Sequence, residues 1–279
     1  MGVRIVTDST SDLPPAVAEE LNITVVPANV VIDDVTYRDG VDMTSDEFYE
    51  RLVNGPRLPT TSQPSVGTFQ AAYQEILGQG DEIVSIHVSG KLSGTVNSAE
   101  QARASIGPDT PIEVVDSGGA SIALALIVAA AAEAAPSSSS RQELADQVRR
   151  DLPRTSAVFS LDTLEYLQKG GRIGKAQAFV GSLLSVKPIL TLEDGEVHPL
   201  ERPRNHQRAM RRLVEMTREK APAARVGVAY STDEQWAADL RASLSDLVPE
   251  DQIMTVRFGP ALGTYVGPRA VGVAVTSAL

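Results

Sequence analysis

No cysteine occurs among the 279 residues of the chain, which excludes disulfides, thiol nucleophiles and cysteine-ligated metal. Histidine is scarce: His87, His198 and His206 share no metal-type spacing, so no zinc site is expected. Positive charge is in deficit, with 25 basic residues against 36 acidic ones and a formal net charge of −11. That balance argues against a nucleic-acid backbone or an anionic membrane as partner, although a local basic patch can still dock a protein. Long apolar runs are missing as well. The longest, Ile122–Ala132, is too short and too alanine-rich to span a bilayer and reads as a helix buried against a sheet. Asp8 and Asp12 arrive before an export signal can form, and Val6 stands where a myristoylation signal carries a hydroxyl residue. A cytoplasmic protein without stable membrane insertion is expected.

What is present is an alternation of strand and helix signals. The stretch Glu82–Ala99, EIVSIHVSGKLSGTVNSA, opens as a β-branched buried strand, turns at Ser89-Gly90-Lys91 and runs into a helical pattern. Ser93 is the predicted N-cap of that helix, whose first amides would then hold an anion. The spacing is not that of a P-loop, since Gly90-Lys91 comes first and Gly94 follows. No Gly-x-Gly-x-x-Gly fingerprint follows any strand, and no repeat of fixed period is visible. Val3–Thr7, Ile83–Val88 and Ile112–Asp116 read as strands of one parallel sheet with helices on both faces. Their ends, Asp8-Ser9-Thr10, Ser89 to Thr95 and Asp116-Ser117, would then share one edge, where open α/β sheets bind ligands. The polar segment Leu58–Ser65 has the length to cross that edge. The second half has a different rhythm, with a hairpin at Asp194-Gly195 and helices expected on one face of mixed strands. The predicted fold class is α/β in two domains: residues 1–154 around the parallel sheet, and residues 155–279 as a two-layer α/β domain.

No catalytic set assembles from the sequence. Asp8 after an apolar strand has the position of an aspartyl-phosphate nucleophile, but the second carboxylate of Asp-x-Asp is replaced by Thr10. Ser93 lacks Gly-x-Ser-x-Gly spacing, and His87 cannot be assumed to reach it. Asp8-Ser9 reads instead as a turn bonding its own backbone. A binding protein is expected rather than an enzyme. The alternative is an esterase- or phosphatase-like α/β enzyme acting on a small carboxylate or phosphate ester.

Seven segments, VTDSTSDL (6–13), TTSQPSVGTF (60–69), SGKLSGTVNSA (89–99), VVDS (114–117), LDTLEYLQKGGRI (161–173), SLLSVKPIL (182–190) and GTYVGPRAVG (263–272), resemble the DegV family in order and spacing. The resemblance implies a Rossmann-like first domain, a long-chain fatty acid such as palmitate buried between the domains, and no cofactor. It also implies a role as the lipid-carrying subunit of a fatty-acid kinase, with the phosphoryl chemistry in a separate partner, or a carrier role in lipid metabolism. By the same resemblance Thr61 and Ser93 hydrogen-bond the carboxylate. Ser62, Gly94, Tyr265 and Arg202 complete the expected ligand-binding set, and Arg172 and Arg204 lie near the pocket mouth. Arg172 is further expected to orient the kinase partner without affecting lipid affinity. The chain departs from the family pattern at Tyr265, where relatives carry a histidine, and at Arg269, where they carry glycine. A tyrosine brings no cation, so the bound acid is expected to be partly protonated near neutral pH.

Overall fold

The structure, a computed structural model, describes residues 2–181 and 186–278. In chain order β1 (Val3–Asp8), α1 (Pro15–Glu20), β2 (Thr24–Val26), β3 (Asn29–Ile32), β4 (Val35–Arg38), α2 (Ser45–Asn54), β5 (Thr60–Ser62) and α3 (Val66–Gly78) come first. They are followed by β6 (Glu82–His87), α4 (Thr95–Ile106), β7 (Ile112–Asp116), α5 (Ile122–Ala134) and α6 (Arg141–Asp151). Then come β8 (Thr155–Ser160), α7 (Glu165–Lys169), β9 (Ile189–Glu193), β10 (Glu196–Glu201) and α8 (His206–Arg218). The last elements are β11 (Ala223–Tyr230), α9 (Glu234–Leu244), β12 (Met254–Arg257), α10 (Pro260–Val266) and β13 (Val271–Ser277). The first four residues of SLLSVKPIL, 182–185, lie outside the described residues.

Three sheets result. The first is parallel, in the order β2-β1-β6-β7. Its central strands are apolar runs because both faces are covered: Phe69 and Tyr73 of α3 and Ala99 and Ala102 of α4 pack on one side, and α5 and α6 on the other. The second sheet has six strands, β10-β9-β8-β13-β11-β12, antiparallel except for β11 with β12. Helices α8 and α9 bury Leu213, Leu240 and Leu244 on one of its faces. The opposite face meets α5. That helix is therefore shared by the two sheets, which is why it is apolar all round. The fold is the expected mixed α/β class with a parallel-sheet unit.

The third sheet, β4-β3-β5, is antiparallel and was not foreseen. Its strand β5 falls within the polar segment Leu58–Ser65, and Thr61 pairs with Val30. A three-residue strand of hydroxyl side chains between prolines carries no alternation to read. A second difference concerns Ser93. Helix α4 starts at Thr95 with Gly94 as N-cap and no side-chain cap bond, and Ser93 Oγ instead bonds Thr95 Oγ1 at 2.8 Å. The hairpin at Asp194-Gly195 forms as expected, with φ of 51° and 77° at those two residues, the left-handed pair that suits a tight strand reversal. Its turn reaches the parallel sheet, where Ser89 Oγ donates to the Gly195 carbonyl at 2.8 Å.

Leu124, fully buried in α5, tests how far both sheets depend on this helix. Leu124→Ala should lower the unfolding free energy by about 2–5 kcal/mol in a urea titration, as one transition for the whole chain. A loss below about 1 kcal/mol, outside that range, would mean the helix is not the common core.

Candidate functional site

A cavity lies between the carboxyl edge of the parallel sheet and the α5-facing side of the six-stranded sheet. About 1020 Å³ of atom-free space lies within and at the mouth of it, open solvent included. The deep walls are apolar: Val88 after β6, Ile122 of α5, Phe159 of β8, Leu192 of β9, and Phe258 and Leu262 around α10. The polar side is built from Thr61 and Ser62 of β5, Gln63, Ser93, Arg172 and Tyr265.

Three elements set the geometry of the polar side. Strand β5 is held by β3, and α10 is aimed across it, so Thr61 Oγ1 and Tyr265 OH form a short hydrogen bond. The Tyr265 ring packs against Gly170, where a Cβ would come within 2.5 Å of its Cδ1. The Arg172 guanidinium lies 4.9 Å from the centre of that ring, donating from Nε to the Leu92 carbonyl at 3.2 Å and from Nη1 to the Gly170 carbonyl at 2.7 Å. Two hydroxyl pairs result, Thr61 with Tyr265 and Ser93 with Thr95. Each pair uses one hydrogen in its own bond; the second hydrogen of Thr61–Tyr265 belongs to a wall residue whichever of the two donates, and that of Ser93–Thr95 faces the cavity when Thr95 donates to Ser93. The Gln63 amide packs on Gly94, where a Cβ would lie 2.9 Å from Nε2.

Of the expected residues, then, Thr61, Ser62, Ser93 and Tyr265 line the cavity together, and Gly94 supports it from behind Gln63. Arg202 is placed elsewhere, its guanidinium 4.1 Å over the Phe179 ring, and Arg204 is exposed. The third strand end is also not part of the wall. The Asp116 carboxylate accepts the Gly90 and Gly118 amides at 3.1 and 2.9 Å and fixes two turns. Arg172, expected near the pocket mouth with a docking role, is part of the wall, and it puts a cation beside Tyr265. Arg269 has φ 58°, the left-handed conformation that glycine adopts without cost, and its guanidinium lies 5.1 Å over Trp236.

Behind the cavity lies a buried polar row that the sequence does not announce. Tyr73 OH donates to Ser85 Oγ at 2.8 Å, Ser85 Oγ meets His87 Nε2 at 2.7 Å, and His87 Nδ1 meets Asp8 Oδ2 at 3.0 Å. The i, i+2 spacing of Ser85 and His87 was a readable sign that they share one strand face. Their meeting with Asp8 depends on β1 pairing with β6. This Asp–His–Ser order has the connectivity of a hydrolase triad, yet all four side chains are sealed from solvent. Burial alone would raise the Asp8 carboxyl, but the bonds from His87, Thr10 and Val88 outweigh it and hold Asp8 below its ordinary value.

Two further carboxylates close the base of α10. Asp12 Oδ1 accepts the Gly259 amide at 2.8 Å, and its Oδ2 accepts the Ser121 hydroxyl at 2.5 Å. Asp39 lies against the same glycine, with an oxygen 3.2 Å from where a Cβ would stand. Burial raises both groups, Asp12 well above its ordinary value and Asp39 to about 6. Among the described residues no group of three or more His, Asp or Glu side chains is placed to hold a metal ion, and no helix is long and apolar enough to cross a membrane.

Comparison with known proteins gives a consistent picture. A family profile described as an uncharacterised protein of the DegV family matches residues 2–278. A DegV domain-containing protein of Streptomyces coelicolor is 39% identical over 279 residues, covering 99% of this chain and 98% of that one. A DegV family protein from Thermus thermophilus, described by its fatty-acid binding, superposes with a TM-score of 0.92 at 36% identity and full coverage of both chains. A stearic-acid-binding protein from Eubacterium ventriosum superposes with a TM-score of 0.89 at 27% identity, over 98% of this chain and 97% of that one.

The raised Asp39 carboxyl makes a pH prediction. The folded protein keeps this proton up to about pH 6, while the unfolded chain releases it near 3.8. Its stabilising contribution is therefore complete below the unfolded value and is lost as pH rises through about 6. Asp39→Asn removes the titration, so its stability should decline less with rising pH than that of the parent. The gap between the two should change by on the order of 2–3 kcal/mol across that window. Urea titrations at stepped pH measure it, and parallel profiles would show Asp39 to be unperturbed.

Proposed function

We propose that this chain, which belongs to the DegV family, binds one long-chain fatty acid such as palmitate, with the tail in the apolar cavity and the carboxyl at Thr61, Ser93 and Tyr265. The observation that carries this reading is the pairing of a deep apolar cavity with one hydroxyl-lined side. An acyl chain of about fourteen methylenes at ~0.8 kcal/mol each gains on the order of 11 kcal/mol on burial. Part of this offsets the lost motion of ligand and protein. Each neutral hydrogen bond at the head adds ~0.5–1.5 kcal/mol. The tail sets affinity, and the head sets orientation.

On this reading the chain is a binding subunit working in the cytoplasm, with residues 1–154 and 155–279 as its two domains and the ligand between them. It presents the carboxyl to a separate kinase partner for phosphorylation, or carries the acid in lipid metabolism. The Asp8–His87–Ser85 row supports the alternative of an esterase-like enzyme in connectivity alone, because no substrate reaches a sealed serine.

Thr61→Ala and Ser93→Ala should each weaken binding of a fluorescent fatty acid by ~1 kcal/mol, about fivefold, and the double variant by nearly the product. Both variants should melt close to the parent. Arg172→Glu should also weaken binding several-fold, since it removes the cation that packs on Tyr265. Unchanged affinity in the double variant would refute the assignment of the head-group site. Unchanged affinity in Arg172→Glu would return that residue to partner docking.

A further inference from the structure

We propose that the cavity holds a second polar subsite, at Thr10, which accepts an O–H group from the bound acyl ligand. The proposal rests on the reading of the cavity as a fatty-acid site and adds a chemical requirement to it. Thr10 lines the cavity at 8% exposure, next to Ser121. Its hydroxyl is not free to choose a partner. Asp8 Oδ1 accepts both the Thr10 amide, at 3.1 Å, and the Thr10 hydroxyl, while Oδ2 accepts the Val88 amide at 3.1 Å and faces His87 Nδ1 at 3.0 Å. A carboxylate collecting four donors is held ionised and has no hydrogen to return.

The row behind it fixes the direction. Tyr73 donates to Ser85, so the Ser85 hydrogen is left for His87 Nε2, and the Nδ1 hydrogen of His87 is left for Asp8. Every hydrogen in the row runs toward Asp8. The Thr10 hydrogen runs there as well, from the opposite side. What Thr10 has left for a ligand is a lone pair, backed by a buried anion.

The subsite lies beside the polar side of the cavity. Ser9 Oγ accepts the Ala28 amide at 3.0 Å, and Ala28 lines the cavity together with Thr10, Ser62 and Gln63. The two kinds of wall therefore differ in what they can take. The Thr61–Tyr265 pair keeps a hydrogen to donate, as Ser93 does when Thr95 donates to it, and Thr10 can only accept. The charged and titratable groups on the Thr10 side are Asp8, His87, Asp12 and Asp39, and across from them Arg172 stands at Tyr265. A carboxylate oxygen has nothing to give Thr10 and is repelled by Asp8. An O–H is attracted, whether it is the proton of the carboxylic acid itself or a hydroxyl on the acyl chain.

Thr10→Val keeps the shape and removes the oxygen, and Thr10→Ser keeps the hydroxyl. In one arm, carboxyl-labelled hexadecanoic acid is bound and titrated by carbon NMR. If the acid proton is the donor, the apparent pKa of the bound acid should be about one unit higher in the parent and Thr10→Ser than in Thr10→Val, a tenfold change in proton affinity. In the other arm, positional isomers of hydroxyhexadecanoic acid compete with hexadecanoic acid. If a chain hydroxyl is the donor, one isomer should bind the parent at least as tightly as the unsubstituted acid and lose about tenfold on Thr10→Val. A positive result in either arm supports the subsite and names the source of its donor. Equal pKa values together with no isomer that separates parent from variant overturn it. Should Thr10→Val not fold, the parent decides alone. A bound acid with no raised pKa, and hydroxy acids that all bind more weakly than hexadecanoic acid, overturn the subsite. Failure of hexadecanoic acid to bind the parent at all removes the fatty-acid reading instead.

Discussion

A helix with ten of its thirteen residues buried, α5, has no face to give to water, and most of the architecture follows from covering it. The parallel sheet covers one side and the six-stranded sheet another. The cavity opens where the first turn of α5 meets the strand ends of the parallel sheet and the face of the six-stranded one. Ala120, Ser121 and Ile122 supply part of its wall. The same burial that stabilises the fold therefore creates an apolar space that the side chains of the protein do not fill.

Electrostatics then divides that space. Asp8, Asp12 and Asp39 lie close enough that the negative charge of Asp8 helps to raise the other two. They differ in hydrogen bonding. Asp8 collects enough donors to stay ionised, whereas Asp12 and Asp39 are held toward the neutral form by burial. Asp12 and Asp39 close the base of α10, the element that carries Tyr265 to Thr61. Head-group geometry is thus coupled to two buried carboxylates that lie outside the cavity wall.

Much of the fold could be read from the chain because it rests on periodicity. The β-branched runs of β1, β6 and β7, the all-round apolar pattern of α5 and the Asp194-Gly195 turn each carry a local signal. Sequence alone left β5 unread, since a strand of three hydroxyl residues is fixed by its partner β3 rather than by its own pattern. Ser93 looked like a helix cap because caps and cavity-lining hydroxyls use the same residue types. The place of Arg172 in the wall depends on its stacking on Tyr265, 93 positions away along the chain. The His87–Asp8 contact likewise depends on strand order. Thr61 and Ser93 came from the motif resemblance, and the structure puts both in one cavity with Tyr265. At Arg269 the positive φ is a conformation that suits the glycine implied there by the family resemblance.

The fatty-acid reading requires the cavity to hold one long-chain acid by its head. Native mass spectrometry of the protein after mild purification tests it most directly, with solvent extraction to identify any retained molecule. The account predicts one bound mass per chain matching a long-chain fatty acid, released on denaturation. A chain that retains no lipid, takes up none when fatty acid is supplied and hydrolyses model esters would contradict it.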